Sequence, residues 1–147
     1  MNVWIMNLID NRADADEASI RKKFELCKML GILAIGWTGW STDESTAYQK
    51  ADNGLTRLSD SDLVWTKHPI TKEQYLCVIT GGKTAENGIL TKFDVNEIVP
   101  CEYIRVSDDL LLKYGLDKNK IYNQSTIVQC RIQSIVDATK KLYSSII

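Results

Sequence analysis

Apolar positions along this chain fall into two rhythms: short unbroken runs, and stripes at helical spacing. Val3 to Leu8 (VWIMNL) and Ile32 to Trp37 (ILAIGW) are unbroken runs and read as buried strands. Between them, behind a polar loop at Asp10 to Asp16, the positions Ile20, Phe24, Cys27 and Leu30 recur every three or four residues. This spacing predicts a helix from Glu17, with Gly31 as its natural stop. A second helix is predicted over Glu44 to Leu58, behind the cap candidates Ser41, Thr42 and Asp43, with Ala47, Ala51, Leu55 and Leu58 as a thin apolar stripe.

The middle of the chain reads as β-rich. Asp62 to Lys67 and Gln74 to Thr80 are strands, and the phrase HPITKE between them is a hairpin loop carrying Pro69. Gly81 to Gly88 is rich in turn residues, and Asn96 to Val106 is a strand region interrupted by Pro100. Asp108 to Tyr114 makes a short helix ended by Gly115. A last helix is predicted behind a cap at Ser125 or Thr126, its stripe being Val128, Ile132, Ile135, Val136, Leu142, Tyr143 and Ile146. Strands clustered in the middle, with helices after the first strand and at the end, predict an α+β fold. The expected form is a small curved, mostly antiparallel sheet or barrel with flanking helices and a long C-terminal helix.

The chain has 147 residues, 44% of them hydrophobic and 25% charged, which is enough for one core without metal or disulfide staples. No linker or repeat divides it, so residues 1–147 are read as one domain. A formal net charge of −1 removes the easiest argument for nucleic acid and leaves room only for a local basic face. None of the cysteines, Cys27, Cys77, Cys101 and Cys130, stands in CxxC spacing, so they are expected to be reduced core thiols. The N-terminus lacks the pattern of a secretory signal, and no apolar run approaches the roughly 18 residues of a membrane span. A cytoplasmic location without membrane contact is the expectation.

The residues offer little catalytic chemistry. His68 is the only histidine, which removes every two-histidine metal signature, and its place before Pro69 in a hairpin loop predicts an exposed side chain. The phrase TGGKT at Thr80 to Thr84 looks like part of a phosphate loop, but Cys77 stands where the first glycine is required. The acidic pairs Asp60 with Asp62 and Asp108 with Asp109 fall where turns and helix caps are expected. No catalytic residue, metal-ligand set or cofactor is therefore assigned.

Tryptophan is the unusual feature. There are 4 in the chain, and two of them bracket the phrase WTGW at Trp37 to Trp40, directly behind a predicted strand. Flat rings with Gly36 and Gly39 beside them can form a slot for a planar base. The ordinary alternative is core packing, the more so for Trp4 and Trp65, which lie within strands.

The order of phrases resembles the EVE-like modules of the PUA-like superfamily, including those at the front of modification-dependent restriction proteins. An aromatic strand, Val3-Trp4-Ile5-Met6, precedes a helix with Phe24; an "aIGW" phrase is matched by Ala34-Ile35-Gly36-Trp37, and a "gDlVWt" phrase by Ser61-Asp62-Leu63-Val64-Trp65-Thr66. A "yYlcrI" strand is matched by Gln74-Tyr75-Leu76-Cys77-Val78-Ile79, and a late "R-x-T-I" element by Gln124-Ser125-Thr126-Ile127. The chain departs from these patterns at Val78, where a basic residue is expected, and around Gln124, where the arginine is replaced. The resemblance implies a compact barrel whose pocket holds a flipped, modified base of DNA or RNA between aromatic rings.

On that basis Trp37, Trp40, Trp65 and Tyr75 are candidate walls, and Asn53, Thr66 and Thr126 candidate polar contacts. Lys67, His68, Lys72 and Lys83 are candidates for a phosphate rim, on the expectation that the two hairpins approach one another. Three readings stay open at this point: a non-catalytic reader of modified bases linked to prokaryotic defence, a protein-interaction module or homodimer joined through the C-terminal helix, and a small enzyme.

Overall fold

A computed structural model of the chain describes residues 1–8, 14–36, 45–122 and 126–147. Its strands are β1 (Val3–Met6), β2 (Ile32–Ile35), β3 (Leu63–Lys67), β4 (Gln74–Ile79), β5 (Thr84–Ala85), β6 (Glu97–Val106) and β7 (Ile127–Gln129). The helices are α1 (Glu17–Leu30), α2 (Ser45–Thr56), α3 (Asp108–Lys113) and α4 (Gln133–Ile146), with one 3₁₀ turn at Thr91–Phe93. The strands form a mixed sheet in the order β2-β6-β4-β3-β1-β7, with β5 paired to β6. Only β1 and β3 run parallel among these pairs; the rest are antiparallel. The sheet curls into a half-barrel, giving an α+β arrangement of strands and flanking helices.

Strand alternation divides the apolar residues between two cores. Trp4, Met6, Val64, Tyr75 and Cys77 face α1 and α2, where Phe24, Cys27, Ala51 and Leu55 meet them. Val3, Ile5, Leu63, Trp65 and Leu76 face the other way, toward Leu111 of α3 and Ile135 and Leu142 of α4. Asp62 ties the first core to the chain end: its carboxylate accepts from the backbone N–H groups of Asn2 (2.8 Å) and Ser59 (3.0 Å) and from Trp4 Nε1 (3.1 Å). Helix α1 is bounded as expected. Asp16 caps it by accepting from Ser19 N, and Gly31 ends it at φ 68°.

Two expected elements differ. The interruption at Pro100 is absent: β6 runs unbroken for ten residues from Glu97 to Val106. Pro100 stands at a change of partner, since β2 pairs with Glu97 to Pro100 and β4 with Cys101 to Val106. The carbonyl of Pro100 still accepts from Thr80 N, so a proline lacking a donor is tolerated there. The final helix does not begin behind Thr126. Ile127 to Gln129 instead pair with β1, and α4 starts at Gln133. Tertiary pairing with an otherwise open strand outweighs the local helical pattern here. The apolar stripe of α4 is largely used within the chain, with Ile135 and Leu142 buried and Val136, Tyr143 and Ile146 packed against that core. Among the described residues, Ile132 and Ile147 at the two flanks of α4 are exposed.

Candidate functional site

A tightly packed buried cluster lies at the end of β2. Helix α1 turns two consecutive side chains inward, Lys23 and Phe24, both wholly buried. Lys23 Nζ lies 3.0 Å from Asp94 Oδ2, and neither side chain has any exposure. Asp94 closes the 3₁₀ turn in the left-handed region at φ 62°, its N–H bonded to the Thr91 carbonyl. Asn96 continues the cluster: its N–H donates to the Ile35 carbonyl at 2.9 Å, and its Nδ2 donates to Thr91 Oγ1 at 3.0 Å. Against this cluster sits Gly36, where an added Cβ would lie 1.8 Å from Asp94 Oδ1. Only glycine fits. A buried ion pair contributes little net stability compared with apolar side chains of the same shape, but its loss on one side is costly, so it holds geometry firmly. What it holds is the root of the phrase Trp37 to Trp40.

Trp37 and Trp40 themselves lie outside the described residues. Trp65 does not line a shared slot with Tyr75. It is fully buried in the second core, where its Nε1 donates to Thr139 Oγ1 at 2.9 Å. Tyr75 pairs in register with Thr66, one position along, and so points to the opposite face of the sheet. There it packs against Phe24 (centroids 5.6 Å apart) and Tyr103 (6.0 Å), with its hydroxyl 3.4 Å from Lys28 Nζ. Thr66 is buried on that same face, and its Oγ1 has no hydrogen-bond partner among the described residues. Asn53 is exposed on α2, and Thr126 is half-buried, its carbonyl accepting from Asn7 N at 2.8 Å.

The expected phosphate rim is split. Lys83 follows β4 and pairs with Asp52 at 2.6 Å, whereas Lys67, His68 and Lys72 lie at the other end of that strand. Six extended residues separate the two ends by roughly 20 Å. His68 is buried, not exposed, because the loop folds around it. Its Nδ1 accepts from the N–H groups of Ile70 (3.1 Å) and Thr71 (3.2 Å), and its ring packs on Phe24 at 4.8 Å. Accepting at Nδ1 places the ring proton on Nε2, which faces Glu25 Oε1 at 3.6 Å.

Burial disfavours the thiolate form at two of the core cysteines. Burial pushes the Cys27 thiol up to about 12, and burial together with Cys101 pushes Cys77 well above the ordinary thiol value. Among the described residues no group of three His, Cys, Asp or Glu is placed to hold a metal ion. No helix among them is long and apolar enough to cross a membrane. An open cavity of about 530 Å3 lies between α3 and Asn119, lined by Leu111, Leu112 and Leu116, and none of the sequence-derived candidates borders it.

Of the residues that shape the site, Lys23 and Asp94 escaped the sequence reading. Lys23 carried a signal, since it falls within the apolar stripe of α1, three positions after Ile20 and four before Cys27. Asp94 carried none; its role depends on a left-handed turn that brings it beside β2.

No family model and no curated protein matches the chain. Among solved structures it is similar to the N-terminal domain of Thermococcus gammatolerans McrB bound to m5C DNA, at 9% identity and a TM-score of 0.49, covering 100% of this chain and 99% of that one. It is also similar to a Pseudomonas syringae protein at 13% identity and a TM-score of 0.46, covering 95% and 99% of the two chains. A Pseudomonas putida protein is similar at 17% identity and a TM-score of 0.44, covering 95% and 98%.

Proposed function

We propose that this protein is a non-catalytic module that binds a modified base of DNA or RNA, with Trp37 and Trp40 as its stacking walls. The observation that carries this reading is the clamp of Lys23, Asp94 and Asn96 around Gly36, the residue from which the Trp37-to-Trp40 phrase departs. Fixing the residue that precedes a binding segment lowers the ordering cost of binding. Trp65, a candidate wall, is fully buried in the second core with its Nε1 bonded to Thr139, and is left out of the proposed walls. Tyr75 and Thr66 remain candidates on the face toward α1, Thr66 because its buried hydroxyl lacks a partner among the described residues. Asn53 and Thr126 remain candidate polar contacts. A link to modification-dependent defence belongs to the same proposal and rests on the motif order alone.

The test is intrinsic tryptophan fluorescence during titration with short oligonucleotides. The panel carries unmodified cytosine, methylated, hydroxymethylated and glucosylated bases in DNA, and methylated adenine in RNA, with methylated cytosine first. Quenching that depends on one modification and persists at moderate salt is the expected result. Trp37→Ala then weakens binding by about ten- to a hundredfold, the worth of one stacked base. Equal response to every member of the panel, or none to any, overturns the proposal.

A further inference from the structure

The tip of the β3–β4 hairpin is unusually well organised for an exposed loop. Buried His68 holds it from inside: beyond its two ring acceptor bonds, its backbone N–H donates to the Glu73 carbonyl at 2.9 Å and its carbonyl accepts from Lys72 N at 2.9 Å. Lys72 adopts φ 64°, a conformation that costs a lysine energy and suits glycine or asparagine. Its Nζ folds back on the Pro69 carbonyl at 2.7 Å. Beside it, the Lys67 ammonium lies 4.2 Å from the ring centre of Tyr122, itself about half exposed. Across a cleft of about 210 Å3 that also includes Arg105 and Asp108 stands Lys118.

The charges in this cleft are unevenly matched. Arg105 is paired with Glu73 at 2.9 Å, and Lys118 reaches Asp108 only at 3.6 Å with both side chains exposed. Among the described residues no carboxylate pairs with Lys67 or Lys72. Partial burial, then repulsion from Lys72 and Lys118, holds Lys67 below the ordinary lysine pKa. Lys67 and Lys72 of the hairpin and Lys118 of the segment after α3 thus gather like charge around one cleft, on a chain whose net charge is −1. Such an arrangement is relieved by a bound anion.

The geometry points to a phosphate-binding surface at this hairpin tip, where Lys67, Lys72 and Lys118 receive neighbouring phosphodiester groups of a nucleic-acid strand. His68 is a positioning residue within it and touches no phosphate. Tyr122 offers a ring for stacking at its margin, which favours a nucleic acid over a lipid headgroup. This surface rests on the nucleic-acid part of the proposed function but not on recognition of a modified base.

The experiment measures binding of labelled, unmodified DNA and RNA oligonucleotides by fluorescence anisotropy across a range of salt. Each lost phosphate contact makes the slope of log affinity against log salt shallower by about 0.7 to 0.9. Lys72→Asn with Lys118→Gln, both at exposed positions, therefore flattens the slope by about 1.4 to 1.8, and adding Lys67→Gln flattens it further. Asparagine keeps the left-handed backbone at position 72, so the double variant folds as the parent does. Lys141→Gln, exposed on α4, leaves the slope unchanged. An unchanged slope in the triple variant overturns the inference, as does binding to anionic phospholipid vesicles with none to either oligonucleotide. If the slope responds while no modified base is preferred, base recognition fails and this surface stands. If a modified base is preferred but the slope does not respond, the reverse holds.

Discussion

Replacing Gly36 by alanine is a one-carbon change with a large expected effect. The new Cβ would lie 1.8 Å from Asp94 Oδ1, 2.2 Å from its Cγ and 2.5 Å from its backbone oxygen. Ordinary contact is about 3.5 Å, so the carboxylate must retreat by roughly 1.5 Å or more. Asp94 cannot retreat freely, because its other oxygen is bonded to Lys23 Nζ at 3.0 Å and both groups are sealed from water. Breaking a buried pair of this kind costs about 3–5 kcal/mol. With a urea dependence of about 2 kcal/mol per molar, the unfolding midpoint falls by about 1.5–2.5 M. Gly82→Ala is the matched control: nothing lies within 4 Å of a Cβ there, and its midpoint stays close to that of the parent protein. A Gly36→Ala midpoint indistinguishable from that of Gly82→Ala would refute the clamp and, with it, the argument that the tryptophan phrase has an anchored root.

The other expectations concern the two cores. Asp62→Ala strands three N–H donors, those of Asn2, Ser59 and Trp4, and lowers stability by about 3–4 kcal/mol in chemical denaturation; a loss below 1 kcal/mol contradicts this role. Trp65→Phe loses the bond to Thr139 and some packing, costing about 1–3 kcal/mol, yet leaves oligonucleotide binding intact, so a binding defect in this variant would return Trp65 to the site. Stability falls in alkali. Cys27 keeps its proton up to about pH 12 in the fold, while an unfolded thiol loses it near 8.5, so the unfolded state binds fewer protons in between. The loss is about 1.4 kcal/mol per pH unit from about pH 9 toward 12 for this thiol, read from urea midpoints across that range. A flat profile there would mean that Cys27 is reached by solvent.

Much of the architecture was legible because local rules and tertiary packing agree. Asp16 and Gly31 bound α1 where its stripe begins and stops, and the runs at β1 to β4 pair as strands within a residue or two of the expected limits. Where tertiary partners compete with local pattern, the reading fails. The segment Ile127 to Gln129 carries helix-compatible spacing but finds β1 unpaired on one side, and the ladder wins. His68 looked like an exposed loop residue because nothing in HPITKE reveals that Phe24, far away in the chain, supplies an apolar seat for its ring.

The same division runs through the candidate site. The chain on its own determines that aromatic residues stand behind a glycine at the end of a strand, that catalytic and metal-binding sets are missing their usual spacing, and that Trp4 and Trp65 lie within strands where core packing is the ordinary outcome. Only the tertiary structure decides that Gly36 must be glycine, because Asp94 arrives beside it from a turn 58 residues later in the sequence. It alone separates Lys83 from Lys67 and Lys72, since charge in a sequence has no position until a strand such as β4 sets the distance, and it alone brings Lys118 to them. Periodicity reports which side of an element faces the core; which elements then meet depends on contacts between residues far apart in the chain, and those leave no local trace.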